Sequence, residues 1–160
     1  MNIISKEAHD WGVGIIGNRL KSVQGLVYIL HVEDIEHPQE LLFEFEGAGV
    51  SRKISCSQDG SSLVVCNKPM FESDLGEYGK QIIKDISQHP IFNELIGQKL
   101  SRFNAIYSEI EQCVIGFNFI FYSCGQISLL NLGDEIYIYN DIPECIFLEE
   151  KITLVNIVNL

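Results

Sequence analysis

Apolar and polar positions alternate with a period of two in several short runs. In Leu41-Leu42-Phe43-Glu44-Phe45-Glu46, Phe43 and Phe45 alternate with Glu44 and Glu46, which predicts a strand with one wet face. Phe117, Phe119 and Phe121 repeat the buried stripe, and Leu63 and Val65 face one side as Ile136 and Ile138 do. Glycine and Asp-Gly clusters between these runs are hairpin signals.

The runs recur in the same order. Ile16-Gly17-Asn18-Arg19-Leu20 returns 80 positions later as Ile96-Gly97-Gln98-Lys99-Leu100. A mostly apolar segment follows each, Val23 to Val32 and Phe103 to Ile110. Next come Leu41 to Glu46 and Phe117 to Tyr122, aligned with a four-residue deletion, then the glycine turns Gly47-Ala48-Gly49 and Ser123-Cys124-Gly125. Third segments (Val50 to Cys56, Gln126 to Leu132), polar turns (Ser57 to Gly60, Asn131 to Asp134) and fourth segments (Leu63 to Asn67, Ile136 to Asn140) complete the match, and each copy ends in proline, Pro69 and Pro143. Such self-similarity indicates an internal duplication.

Outside the copies, Leu75, Tyr78, Ile82, Ile83 and Ile86 fall at helical spacing, with Ser73 or Asp74 as caps and His89-Pro90 as a stop. This predicts a linker helix over 74–88. Residues 145–160 read as an extension of a strand or two, with a short helix as the alternative. A helix before Ile16 would be anchored by Trp11, although Gly12, Gly14 and Gly17 weaken it. The expected fold is α+β and mostly β. It is one domain of two similar antiparallel four-stranded modules (16–70 and 96–144) in pseudo-twofold relation, joined by one helix. Neither half is large enough to stand alone, so the two are expected to share a core.

Composition narrows the function. The chain has 160 residues, 46% of them apolar, which suits one globular domain. Acids outnumber bases 22 to 11, for a net charge of −11. Such a surface repels phosphate and argues against nucleic-acid binding. The apolar runs fall short of the roughly 18 residues of a membrane span, and no signal-peptide pattern opens the chain. The expected setting is cytoplasmic. Cys56, Cys66, Cys113, Cys124 and Cys145 match no zinc-ribbon or CxxC spacing and read as small apolar residues.

Candidate chemistry is thin. Gly12-Val13-Gly14-Ile15-Ile16-Gly17 spells GxGxxG, but no apolar strand precedes it and the next segment reads as a strand, which excludes a dinucleotide fingerprint. His31 and His37 flank an acidic loop with Glu33, Asp34 and Glu36, where carboxylate and imidazole could hold a metal. Their spacing has neither helical nor strand logic, and solvated loop residues are the expectation. No nucleophile signature is present. The chain is expected to be no enzyme and to use no cofactor or metal.

Charge is more telling. From Ser22 to Ser51 there is no Lys or Arg, and none from Phe103 to Glu150. The acids in these stretches fall at matching places in the two copies. With Ile136 and Ile138 inward, Tyr137 and Tyr139 point outward beside Ile120 and Tyr122. Aromatic anchors within a charged rim make a protein-binding surface. The expected surface comprises Glu44, Glu46, Glu109, Glu111, Tyr122, Asp134, Glu135, Tyr137, Tyr139 and Asp141. A C-terminal segment lying over this face is the competing expectation.

Ile96-Gly97-Gln98-Lys99-Leu100 and Asn131-Leu132-Gly133-Asp134-Glu135-Ile136-Tyr137-Ile138, with their first-half echoes, carry a resemblance. In size, acidity and strand repeats the chain resembles bacterial immunity proteins, the partners of polymorphic and contact-dependent growth-inhibition toxins. The resemblance implies a 1:1 complex with a cognate toxin domain, often a basic nuclease, whose active site or substrate access is blocked. It supplies no catalytic residues. The alternatives are an acidic secretion chaperone that binds a client segment, and a small hydrolase or sugar-binding β protein. A cleft holding His31 or His37 beside carboxylates would favour the last.

Overall fold

The computed structural model describes residues 3–49 and 51–158. Met1 and Asn2, Val50 at the head of the third expected segment, and Asn159 and Leu160 at the end of the expected extension lie outside them. A ten-residue helix opens the described chain, α1 (Lys6–Ile15), capped by the Ser5 hydroxyl, which accepts from the Ala8 N–H. Seven strands follow: β1 (Leu20–Leu30), β2 (Val32–Asp34), β3 (Glu40–Phe45), β4 (Arg52–Cys56), β5 (Leu63–Cys66), β6 (Ser73–Asp74) and β7 (Lys80–Asp85). The second half contains β8 (Leu100–Ser108), β9 (Cys113–Phe121), β10 (Gln126–Asn131), β11 (Ile136–Tyr139), α2 (Glu144–Glu149) and β12 (Ile152–Asn156).

These strands form two antiparallel sheets. One runs β5-β4-β3-β1-β7-β6, with β2 also paired to β1; the other runs β11-β10-β9-β8-β12. Each contains the expected four-stranded meander, and each gains a strand beyond the first of the four: β7 beside β1, β12 beside β8.

Backbone hydrogen bonds express the duplication atom by atom. Arg19 and Lys99 face each other in an antiparallel bridge. Around it, the Gly17 N–H donates to the Leu100 carbonyl (2.8 Å) and the Gly97 N–H to the Leu20 carbonyl (2.7 Å). Leu20 donates to Gln98 and Leu100 to Asn18, both at 3.0 Å. Glu46 donates to Arg19 and Tyr122 to Lys99, both at 2.9 Å. Even the register slips agree, at Leu20/Ser22 in β1 and Leu100/Arg102 in β8. Such reciprocity marks a local twofold axis through the Arg19–Lys99 seam.

The core lies between the sheets. Leu41, Phe43 and Phe45 meet Phe117, Phe119 and Phe121 in one buried cluster drawn from both halves. Trp11 packs edge-on against Phe45, Phe103 and Phe119, so α1 is held by both sheets as the anchor reading expected. The helix tolerates Gly12 because the site demands it: a Cβ there would lie 2.9 Å from Val158 and 3.0 Å from Phe103. A smaller cluster of Ile106, Ile115, Leu130 and Ile152 covers the far side of the second sheet, with Ile142 and Ile146 packed on it from α2 and the turn before it.

The linker helix over 74–88 is not formed. Residues 76–78 make a single 3-10 turn, and Lys80–Asp85 is strand β7, paired along its whole length with β1. Gly76 and Gly79 adopt φ of 63° and 93°, which no α-helix accommodates. A Cβ at Gly79 would lie 2.3 Å from the Ile29 carbonyl oxygen, so the hairpin requires glycine there. The β6–β7 hairpin and a series of turns therefore join the modules. In the extension, the strand reading holds at Ile152–Asn156, where β12 forms instead of a terminal helix, while the segment before it, read as strand, begins with the helix α2. No helix among the described residues is long and apolar enough to cross a membrane.

Candidate functional site: a carboxylate-rich end

Successive turns of a meander lie at alternate ends of its sheet. The β8–β9 turn, with Glu109 and Glu111, and the β10–β11 turn, with Asp134 and Glu135, therefore share one end. The first sheet adds its β4–β5 turn, bearing Asp59. The two turns are tied by the Asn131 amide, which donates to the carbonyls of Gly60 (3.0 Å) and Ser62 (2.9 Å).

Local chemistry shapes these turns. The Asn131 side chain accepts from the Asp134 N–H (2.9 Å), holding Asp134 at φ 65°, a conformation that Asp tolerates better than most residues. Ser108 accepts from the Glu111 N–H (3.0 Å) and donates to the Glu150 carboxylate (2.7 Å), which brings a further acid to this end.

The ion pairs among the described residues are His9–Asp10, His37–Asp34, Lys53–Glu40 and Lys84–Glu33. None includes Asp59, Glu109, Glu111, Asp134, Glu135 or Glu150, so these carboxylates lack a close ion pair, although Lys151 lies beside Glu109 and Lys53 lines the cleft beside Glu135. Two thiols register the field. Burial pushes Cys56 up to about 11, with Asp134 and Glu135 adding to the rise. Burial also raises Cys113, helped by Asp59, Glu111 and Glu150.

The other expected site residues lie elsewhere. Glu46 and Tyr122 follow β3 and β9 at the seam, near Arg19 and Lys99, at the opposite end of the second sheet. Asp141 is also at that end, accepting from the Gln126 amide (2.8 Å). Glu44 is half-buried and accepts from Ser22 (2.9 Å). Tyr139 packs on the cluster beneath α2, as the competing reading of a covered face expected. Tyr137 is half-buried and edge-on to His37, ring centroids 4.8 Å apart. The expected surface is thus divided, and four of its ten residues share the acidic end.

The fold also gathers residues that no sequence spacing connects. Asp34, the last residue of β2, and His37, between β2 and β3, meet Glu135 of the β10–β11 turn, one ligand-type atom of each lying within 4.8 Å of the others. His37 was visible as a histidine in an acidic loop; Glu135 lies about a hundred positions away, and only the packing of the two halves brings it there. A cleft of about 410 Å³ beside it is lined by residues including Gln39, Lys53, Asp134 and Glu135. A second, of about 290 Å³, is lined in part by His37, His89 and Tyr137.

No protein-family model, curated protein or solved structure matches the chain.

Proposed function

We propose that this protein is a binding module that docks a cationic protein domain on its carboxylate-rich end. The partner is a cognate toxin domain, held 1:1 in the cytoplasm with its active site or substrate access occluded, in the manner of an immunity protein. One observation carries the reading: Asp59, Glu109, Glu111, Asp134, Glu135 and Glu150 converge from neighbouring turns and a helix end without an ion-pair partner among the described residues. Unpaired carboxylates in that density attract a basic cleft built for phosphate, speed its encounter and reject acidic partners. The chain itself makes and breaks no bond in this account.

The test is co-expression with the C-terminal domain of a toxin encoded beside this gene, scored by growth. Rescue is expected, and reversing Glu109, Glu111, Asp134 and Glu135 to lysine should slow association about ten- to a thousandfold at low salt. Rescue and binding that survive the four reversals would remove this end as the interface. An obligate dimer on gel filtration that captures only unfolded clients would favour the secretion-chaperone reading. His37 beside Asp34 and Glu135 at a cleft favours a second reading, the small hydrolase, and hydrolytic turnover abolished by His37→Phe would establish it.

A further inference from the structure

The geometry points to a binding site for a divalent transition-metal ion of zinc's class formed by Asp34, His37 and Glu135. His37 Nδ1 and Asp34 Oδ1 lie 3.4 Å apart. A tetrahedron with metal–ligand bonds of about 2.05 Å has an edge of about 3.3 Å, so this pair already spans one edge. Glu135 offers an oxygen within 4.8 Å of both, and rotation of its side chain closes the remaining gap.

The three donors are steadied by their surroundings. The His37 backbone N–H donates to Asp34 Oδ1 (3.2 Å), the Tyr137 hydroxyl donates to Glu135 Oε2 (3.4 Å), and the His37 ring is braced edge-on by the Tyr137 ring. Outer contacts of this kind orient metal ligands before the ion arrives. Two carboxylates balance a doubly charged ion, and one imidazole with two oxygens suits a borderline cation better than a hard one. Nearby Asp134 and the other unpaired acids of this end raise the local cation concentration. Three protein ligands leave a fourth position for water, and the cleft of about 410 Å³ opens beside Glu135.

The test uses the full chain, reduced and stripped of metal, titrated with Co²⁺ and then with Zn²⁺ against a chromophoric chelator. One equivalent is expected to bind, with visible cobalt bands of low coordination number and no thiolate-to-cobalt charge transfer. His37→Phe, which keeps a ring against Tyr137, and Glu135→Gln should each weaken binding by more than the about ten- to hundredfold that loss of an outer partner costs. Replacing Cys56 by serine should change nothing. Circular dichroism checks folding, and should His37→Phe fail to fold, Glu135→Gln and Asp34→Asn carry the test. Absence of saturable binding, binding unchanged in the folded variants, or a thiolate charge-transfer band would overturn the site.

Discussion

Phe43 and Phe119 occupy equivalent positions in the two halves and stack on each other, ring centroids 4.8 Å apart and planes 24° from parallel. Both are fully buried, and each braces further rings, Phe92 for one and Phe103 for the other. Truncating either to alanine should cost about 3–5 kcal/mol. The double variant should cost less than the sum, because the two rings share a contact. Urea unfolding followed by far-UV dichroism and by Trp11 fluorescence checks this. The two probes should move together, because Trp11 is packed by rings of both sheets.

Gly79 separates a hairpin from the helix that the apolar spacing predicts. Its φ of 93° and the 2.3 Å approach of the Ile29 carbonyl to a notional Cβ both exclude a side chain. Gly79→Ala should destabilise by about 1–3 kcal/mol, the scale of a strained backbone position. Amide exchange should accelerate first along β7. An unchanged melting curve would contradict the geometry.

Much of this fold is legible in the sequence because the duplication writes each strand twice. Phe43 and Phe119 announce the same buried stripe, and Gly17 and Gly97 the same left-handed turn. The 74–88 segment misleads because Leu75, Tyr78, Ile82 and Ile86 fit a helical period, while the decisive facts, two glycines at positive φ and an open edge on β1, are a matter of backbone and tertiary pairing. The site divides similarly. Turn alternation in a meander already puts Glu109 with Asp134 and sets Tyr122 apart, a signal present in the chain itself. The approach of Asp34 and His37 to Glu135 has no such trace, because it depends on how the two sheets pack.

The thiols supply a pH test. The folded-state pKa of Cys56 is about 11 against an ordinary 9.0, chiefly through burial and then through Asp134 and Glu135. A group whose pKa rises on folding contributes stability below its unfolded pKa and loses it as pH climbs through the folded one. Stability should therefore fall between about pH 9 and pH 11, and Cys56→Ser should flatten the decline. In iodoacetamide labelling at pH 8.5, exposed Cys124 and Cys145 should react well before Cys56. Neutralising Asp134 and Glu135 should speed Cys56 only in part, since burial is the larger cause.

A polar row crosses the second sheet. The Asn104 amide donates to Asn118 (3.0 Å), and the Asn118 amide donates to Ser128 (2.9 Å) and Gln126 (3.2 Å). Asn104, Asn118 and Ser128 are all buried. Asn118→Ala should cost about 1–3 kcal/mol, because a buried donor on Asn104 and the Ser128 hydroxyl lose their partner. Replacing Asn104, Asn118 and Ser128 together with apolar residues should recover part of that loss. Chemical denaturation of the single and triple variants distinguishes the two outcomes.

The reciprocal bonds around Arg19 and Lys99 have an evolutionary reading. Two separate molecules, each carrying one unit, would present one another with this same set of donors and acceptors, so the seam is the axis that a homodimer would use. Fusion into one polypeptide lifts the demand that both copies stay alike. The two units could then diverge side chain by side chain, as Asn18 and Gln98 or Glu46 and Tyr122 have, while the backbone bonds between them stayed reciprocal.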